Sequence, residues 1–470
     1  MNIHIVRRGD SLWKVAQQYH TSVQQIAAVN GLDRPDVLVI GQALVIPAPS
    51  VTHVVQWGET LWGISQKYGV TVQSLMTENQ LTDASMIYAG QVLNIPITYH
   101  IVQSGDTLAK IAERYGTTTA AILRVNNITN PEYIYVGQMI RIPERTKPIK
   151  EVNAYITRVG EQAIQEIQTL GKYLTYLSPF TYAIKEDGTL TTMKEAPLLT
   201  AAWEQQVAPL LVITNFSAGK FDSDLAATLL RNPTLQETLI TNMIRIIREK
   251  GYAGLNIDFE YVYPEDRENY NAFLRRVVAR FRPLGLLVST ALAPKVREDQ
   301  SGILYEAHDY KAHGEIVDFV VLMTYEWGWA GGPPWAIAPI NQVKRVLDYA
   351  VTVIPRNKIM MGMPLYGRDW KIPWVQGTTA RTISPKAAVE LAAKYGAAIQ
   401  YNETYQSPFF RYTDETGQQH EVWFEDARSS QAKFDAVKQY GLRGVSYWVL
   451  GSPFPQNWPV QEWNFKARKK

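Results

Sequence analysis

Three copies of one pattern fill the first third of this chain, and that repeat limits its possible folds more than any other feature. Gly9-Asp10-Ser11-Leu12, Gly58-Glu59-Thr60-Leu61 and Gly105-Asp106-Thr107-Leu108 recur at intervals of 49 and 47 residues. Asn30, Asn79 and Asn126 keep both intervals, as do Gly41-Gln42, Gly90-Gln91 and Gly137-Gln138. Landmarks that stay in step this way mean separate modules, not one continuous core. Each copy opens with a short strand and a Gly turn, then an acidic residue and a Ser or Thr placed to cap a helix. Leu12, Val15, Ala16 and Tyr19 follow at helical spacing. Leu61, Ile64 and Tyr68, then Leu108, Ile111, Ala112 and Tyr115, repeat the stripe, and Leu12, Ile64 and Tyr115 read as core. A second short helix runs to the Asn, and a closing strand is stopped by Pro47, Pro96 or Pro143. The predicted unit is β-α-α-β, roughly 45 residues long and near the lower limit for folding without disulfides.

This pattern resembles the LysM domain, in copies spanning 2–48, 51–97 and 98–144. The resemblance implies binding of glycans that contain N-acetylglucosamine, such as peptidoglycan or chitin, between the loop after the first strand and the loop before the last. The candidate contacts are Gly9, Asp10 and Asn30, then Gly58, Glu59 and Asn79, then Gly105, Asp106 and Asn126. The glycines and acids serve equally well as turn and cap residues. The linkers, at 47–50, 97–98 and 144–148, are short, two of them proline-containing and so stiffened. Three weak sites held together gain by avidity.

After residue 150 the pattern changes. Apolar runs at Val152–Ile156, Tyr173–Phe180, Leu210–Asn215, Gly254–Tyr261, Leu287–Ala293, Phe319–Tyr325, Lys358–Pro364 and Gly444–Leu450 alternate with helical stretches. Eight strands separated by helices predict an α/β fold, a (β/α)8 barrel over 150–470, with a small α+β insertion around 381–440. Composition narrows the function. Cys is absent, which removes thiol nucleophiles and Cys-based metal sites. A net charge of +3 is too slight for a nucleic-acid footprint, and the basic end, Lys466 to Lys470, reads as a solvated tail. No apolar run is long enough to span a membrane. Met1–Arg8 lacks the pattern of a secretory leader, so none is expected. Aromatics make up 11% of the chain, a supply of flat faces suited to sugars.

In such barrels the chemistry sits at the carboxyl ends of the strands. The fourth run reads Gly254-Leu255-Asn256-Ile257-Asp258-Phe259-Glu260. Strand side chains alternate, so Asn256, Asp258 and Glu260 share the interior face, neighbours about 6–7 Å apart, while Leu255, Ile257 and Phe259 face the helices. Polar groups there are costly unless hydrogen-bonded. Two close carboxyls also raise each other's pKa, which keeps one protonated to act as an acid.

These residues resemble glycoside hydrolase family 18, whose fourth strand carries Asp-x-x-Asp-x-Asp-x-Glu. Here the positions hold Ala253, Asn256, Asp258 and Glu260, so the last two match and the first two depart. Asn256 is able to hydrogen-bond Asp258 but not to share its charge. Met323-Thr324-Tyr325 resembles the family's sixth-strand motif with Glu326 in place of Asp, Tyr366 lies in a match to the seventh-strand motif, and Trp448 matches the tryptophan that floors the site. The resemblance implies that Glu260 is the acid, Asp258 orients the substrate acetamide and Tyr325 holds its oxygen, with Asn256, Met323, Tyr366, Trp448 and Glu326 around the sugar. It implies no metal and no cofactor, and His308 and His313 are not expected to ligate one. Trp327, Trp329, Trp335, Trp370 and Trp374 are expected along the cleft, with packing at its rim the alternative for several of them. The domain combination resembles the bacterial spore cortical-fragment-lytic enzymes. That implies a monomeric retaining N-acetylglucosaminidase acting on peptidoglycan fragments in the spore coat or cortex, with no nucleic-acid or membrane partner. A chitinase, an extracellular or wall location, and a barrel that only binds glycan stay open as alternatives.

Overall fold

The computed structural model describes every residue except 20, 48–50, 80 and 144–146, and the side chain of residue 77 is set aside. The expected module ends at 48 and 144, and most of the linkers that follow them, lie outside the described residues. The chain forms two units, one holding the modules and the other the barrel.

Each module is a two-stranded antiparallel sheet with two helices between its strands. Asn2–Ile5 pairs with Ala43–Ile46 around Leu12–Gln18 and Val23–Asn30. Val51–Val54 pairs with Val92–Ile95 around Leu61–Tyr68 and Val72–Glu78. Thr98–Ile101 pairs with Met139–Ile142 around Leu108–Tyr115 and Thr119–Asn126. The first helices start where expected, because Ser11, Thr60 and Thr107 accept the amides of Lys14, Gly63 and Lys110. Leu12, Ile64 and Tyr115 are buried in the module cores.

In the second unit eight parallel strands close on themselves. They are Ile149–Ile156, Tyr176–Pro179, Ala208–Thr214, Gly254–Asp258, Leu287–Leu292, Phe319–Leu322, Ile359–Pro364 and Gly444–Leu450, and the last pairs back with the first. Tyr155, Tyr176, Leu210, Val212, Phe319, Val321 and Met360 fill the interior. Outside the fourth strand, Phe259 stacks on Tyr270 and Phe273 of the helix Arg267–Phe281, as the alternation requires.

Two expectations are corrected. The insertion is a five-stranded antiparallel sheet with the helix Pro385–Lys394, and it runs from Gly367 to Trp423 rather than over 381–440. Ala427–Gln439 is instead the barrel helix before the eighth strand. The first strand of that sheet, Gly367–Ile372, carries Asp369, a buried acid that accepts from Arg381, Tyr412 and His420 at 2.8–2.9 Å. The basic end is also not simply solvated: Lys466–Ala467 pairs beside the first barrel strand, and Lys469 Nζ donates to the carbonyls of Gly171 and Leu174. Among the described residues no helix is long and apolar enough to cross a membrane.

Candidate active site

The fourth strand delivers its polar face into the top of the barrel. Asp258 is its last residue, and Glu260 lies just beyond the ladder. Asp258 is 4% exposed, and its Oδ1 has no hydrogen-bond partner. Burial raises the pKa of Asp258 well above the ordinary carboxylate range. Burial raises that of Glu260 as well, reinforced by the negative charges of Asp258 and Glu326. The pair therefore holds a proton at pH values where exposed carboxyls have lost theirs.

Asn256 is turned away from the pair. Its Oδ1 accepts from the Tyr155 hydroxyl at 2.8 Å and its Nδ2 donates to Ser289 Oγ at 3.0 Å, so the bond to Asp258 expected from strand spacing is replaced by bonds to neighbouring strands. Tyr155 and Ser289 carried no motif signal; they were findable only as polar residues on inward positions of the first and fifth strands.

Tyr325, just past the sixth strand, is buried, and burial together with Tyr155, Asp258, Glu260 and Glu326 keeps its phenol protonated. Met323 and Trp448 pack against the interior cluster. The Trp448 indole is half-buried, with Phe180 at 4.9 Å and Tyr155 at 5.4 Å between ring centroids. Glu326 adopts φ +69°, a left-handed conformation uncommon for a residue with a side chain. Its carboxylate accepts from the buried Tyr366 hydroxyl and from Arg368 Nη2 at 2.7 Å. Arg368 also lies 5.0 Å over the Tyr366 ring. Arg368 lies two residues after Tyr366 and closes the motif Gly362–Arg368. Arg368 is thus the cation paired with Glu326.

The five tryptophans separate. Trp329 is exposed, while Trp327, Trp335 and Trp374 are half-buried. Trp370 is 1% exposed and donates to the Gly332 carbonyl at 2.9 Å, so it packs under the rim and does not line a cleft.

In the modules, most of the candidate contacts are occupied internally. Asn30, Asn79 and Asn126 each accept from the closing strand, at Val45, Asn94 and Arg141, and donate to two carbonyls. Asp10, Glu59 and Asp106 accept from His4, His53 and His100 at 3.0, 2.6 and 2.7 Å, and those rings meet Tyr19, Tyr68 and Tyr115. Gly9, Gly58 and Gly105 sit at φ +88°, +81° and +85°, which a turn glycine supplies. Large side chains that face solvent from the loops include Trp57, Met86 and Tyr88 in the second module and Tyr133 and Tyr135 in the third. The hydrogen bonds between Val55 and Gly90–Gln91 bring the Trp57 and Tyr88 loops side by side.

A carboxyl pair at the mouth of a closed parallel barrel, preceded by three glycan-type modules, defines a class, and comparison with known proteins agrees. Residues 151–452 match the glycosyl hydrolases family 18, and 4–47, 53–96 and 100–143 match the LysM domain. The chain belongs to glycosyl hydrolases family 18 and is a glycosidase. It is 46% identical over 475 residues, covering 100% of this chain and 99% of the relative, to the cortical fragment-lytic enzyme of Bacillus subtilis (strain 168). Two crystal structures of the spore cortex-lytic enzyme SleL are similar. That from Bacillus cereus gives a TM-score of 0.72 at 44% identity, covering 89% of this chain and 99% of the other. That from Bacillus megaterium QM B1551 gives 0.73 at 41%, covering 90% and 100%.

Proposed function

We propose that this glycosidase is a retaining β-N-acetylglucosaminidase of spore-cortex peptidoglycan, located with the spore and using the substrate's own acetamide as nucleophile. The observation that carries the reading is the unpartnered, buried Asp258 oxygen next to a Glu260 carboxyl that burial keeps protonated. Family 18 enzymes are exceptions to the two-carboxylate nucleophile scheme. Glu260 gives its proton to the glycosidic oxygen as the C1–O bond breaks. The acetamide carbonyl oxygen bonds to C1 and forms a cyclic oxazolinium ion. Asp258 accepts the acetamide N–H and faces the new positive charge, and Tyr325 donates to the acetamide oxygen. Glu260, now a carboxylate, takes a proton from water as its oxygen adds to C1 and the ring opens. Trp448 offers the stacking floor. Arg368 holds Glu326 in place at the edge of the sugar site. Trp57 and Tyr88, with Tyr133 and Tyr135, offer stacking faces for the polymer, and the relatives' names favour cortex as that polymer.

Mass spectrometry of products from cortex fragments and from chitin oligomers tests the substrate. Cortex fragments are expected to gain reducing-end N-acetylglucosamine, with chitin oligomers cut more slowly. Faster cleavage of chitin makes the enzyme a chitinase, and no turnover of either leaves a glycan-binding barrel.

A further inference from the structure

We propose that Asn215 and His308 are positioning residues for the acid, side-chain splints that hold the backbone of Glu260 where the β-ladder has run out. The proposal rests on the reading of Glu260 as acid. The ladder between the third and fourth strands ends at Thr214 and Asp258, and that between the fourth and fifth ends at Ile257 and Thr290. Phe259 and Glu260 therefore have no strand partner on either side, although one of them carries the proton. Asn215, the residue after Thr214, supplies the missing pair of bonds from its side chain. Its Oδ1 accepts from the Glu260 amide at 3.0 Å and its Nδ2 donates to the Glu260 carbonyl at 2.8 Å. On the other side His308 Nδ1 accepts from the Ala293 amide at 2.8 Å, which leaves Nε2 as the protonated nitrogen and donor to the Phe259 carbonyl at 2.9 Å.

The next carbonyl, of Tyr261, accepts from Ser223 Oγ at 2.6 Å. Three consecutive carbonyls are thus gripped by side chains from three different segments. They bracket a turn in which Tyr261 takes φ +54°, a conformation that persists only where its surroundings impose it. Asn215 is 0% exposed and His308 1%, so water does not compete for these bonds. Burial pushes His308 down to about 4, so near neutral pH the ring is uncharged and its donor in place. An acid delivers its proton only from a fixed pose, and a displacement of about 1 Å costs on the order of 100-fold in rate.

The test compares Asn215→Ala, His308→Leu and His308→Gln on soluble cortex fragments, with melting curves for each. Asn215→Ala and His308→Leu are expected to lower kcat by about 10- to 100-fold while KM stays within about threefold. Both are expected to move the alkaline limb of the kcat profile to lower pH, because a carboxyl released from its buried pose regains water and loses the proximity of Asp258. His308→Gln, whose amide can present a donor near the Nε2 position, is expected to recover most of the rate. Variants that melt like the wild type and keep kcat within twofold overturn the proposal. A loss of kcat with the limb unmoved, or with no recovery in His308→Gln, does so as well. Should Asn215→Ala not fold, the His308 pair decides by the same criteria. Glu260→Gln run alongside separates the two claims: activity in it removes the acid assignment, whereas its inactivity with wild-type behaviour of the others removes only the positioning.

Discussion

Asp258 is buried and Glu260 half-buried beside it, and the raised pKa values have a consequence for stability as well as for rate. Burial raises Glu260 above its unfolded value, so the folded chain binds that proton more tightly than the unfolded chain does. Such a group favours folding while protonated, below the ordinary carboxylate range, and costs stability as pH climbs through the raised value. Glu260→Gln keeps the shape and removes the titration. It is expected to raise the melting temperature by about 2–6 °C at pH 8, with the gain shrinking to nothing near pH 4. A gain that is the same at both ends of that pH series would contradict the buried, raised carboxyl.

At the scale of single elements, the module asparagines take on a structural role. Asn126 ties the end of the helix Thr119–Asn126 to the strand Met139–Ile142 through one accepted and one donated bond of 2.6–2.7 Å, and donates a further bond to Ile122 in its own helix. Asn126→Leu leaves the Arg141 amide and carbonyl without partners and is expected to cost about 2–4 kcal/mol locally. Hydrogen exchange of the Met139–Ile142 amides is expected to quicken on that substitution, while the barrel strands exchange as before. The repeat interval located Asn30, Asn79 and Asn126, but an interval is equally compatible with a ligand contact and a clamp; only the closing strand's position decides. The eight barrel strands were legible because each is an apolar run flanked by helix-period sequence, and the Asp258–Glu260 alternation because a strand has period two. Asn256's partners were not, since Tyr155 and Ser289 lie 101 and 33 residues away and meet it only once the barrel closes. The start of the insertion at Gly367 was not legible, since its buried Asp369 finds three partners only on other strands of the folded sheet.

Over the whole molecule, three binding modules and one catalytic barrel divide the work between holding polymer and cutting it. Trp57 is 93% exposed and Tyr88 70%, which offers large apolar faces to solvent at the loops of the second module. Trp57→Ala combined with Tyr88→Ala is expected to reduce retention on insoluble peptidoglycan about tenfold, with kcat on soluble fragments within twofold. Equal losses in both would place those rings in the catalytic path instead.

The catalytic assignment itself meets its most direct test in proton NMR of the reducing sugar released in the first minutes of cortex-fragment hydrolysis, with wild type and Glu260→Gln in parallel. The β anomer of N-acetylglucosamine is expected to appear first, before mutarotation, and Glu260→Gln to release none. Initial α anomer, or release by Glu260→Gln at the wild-type rate, would contradict acetamide-assisted catalysis by this carboxyl pair.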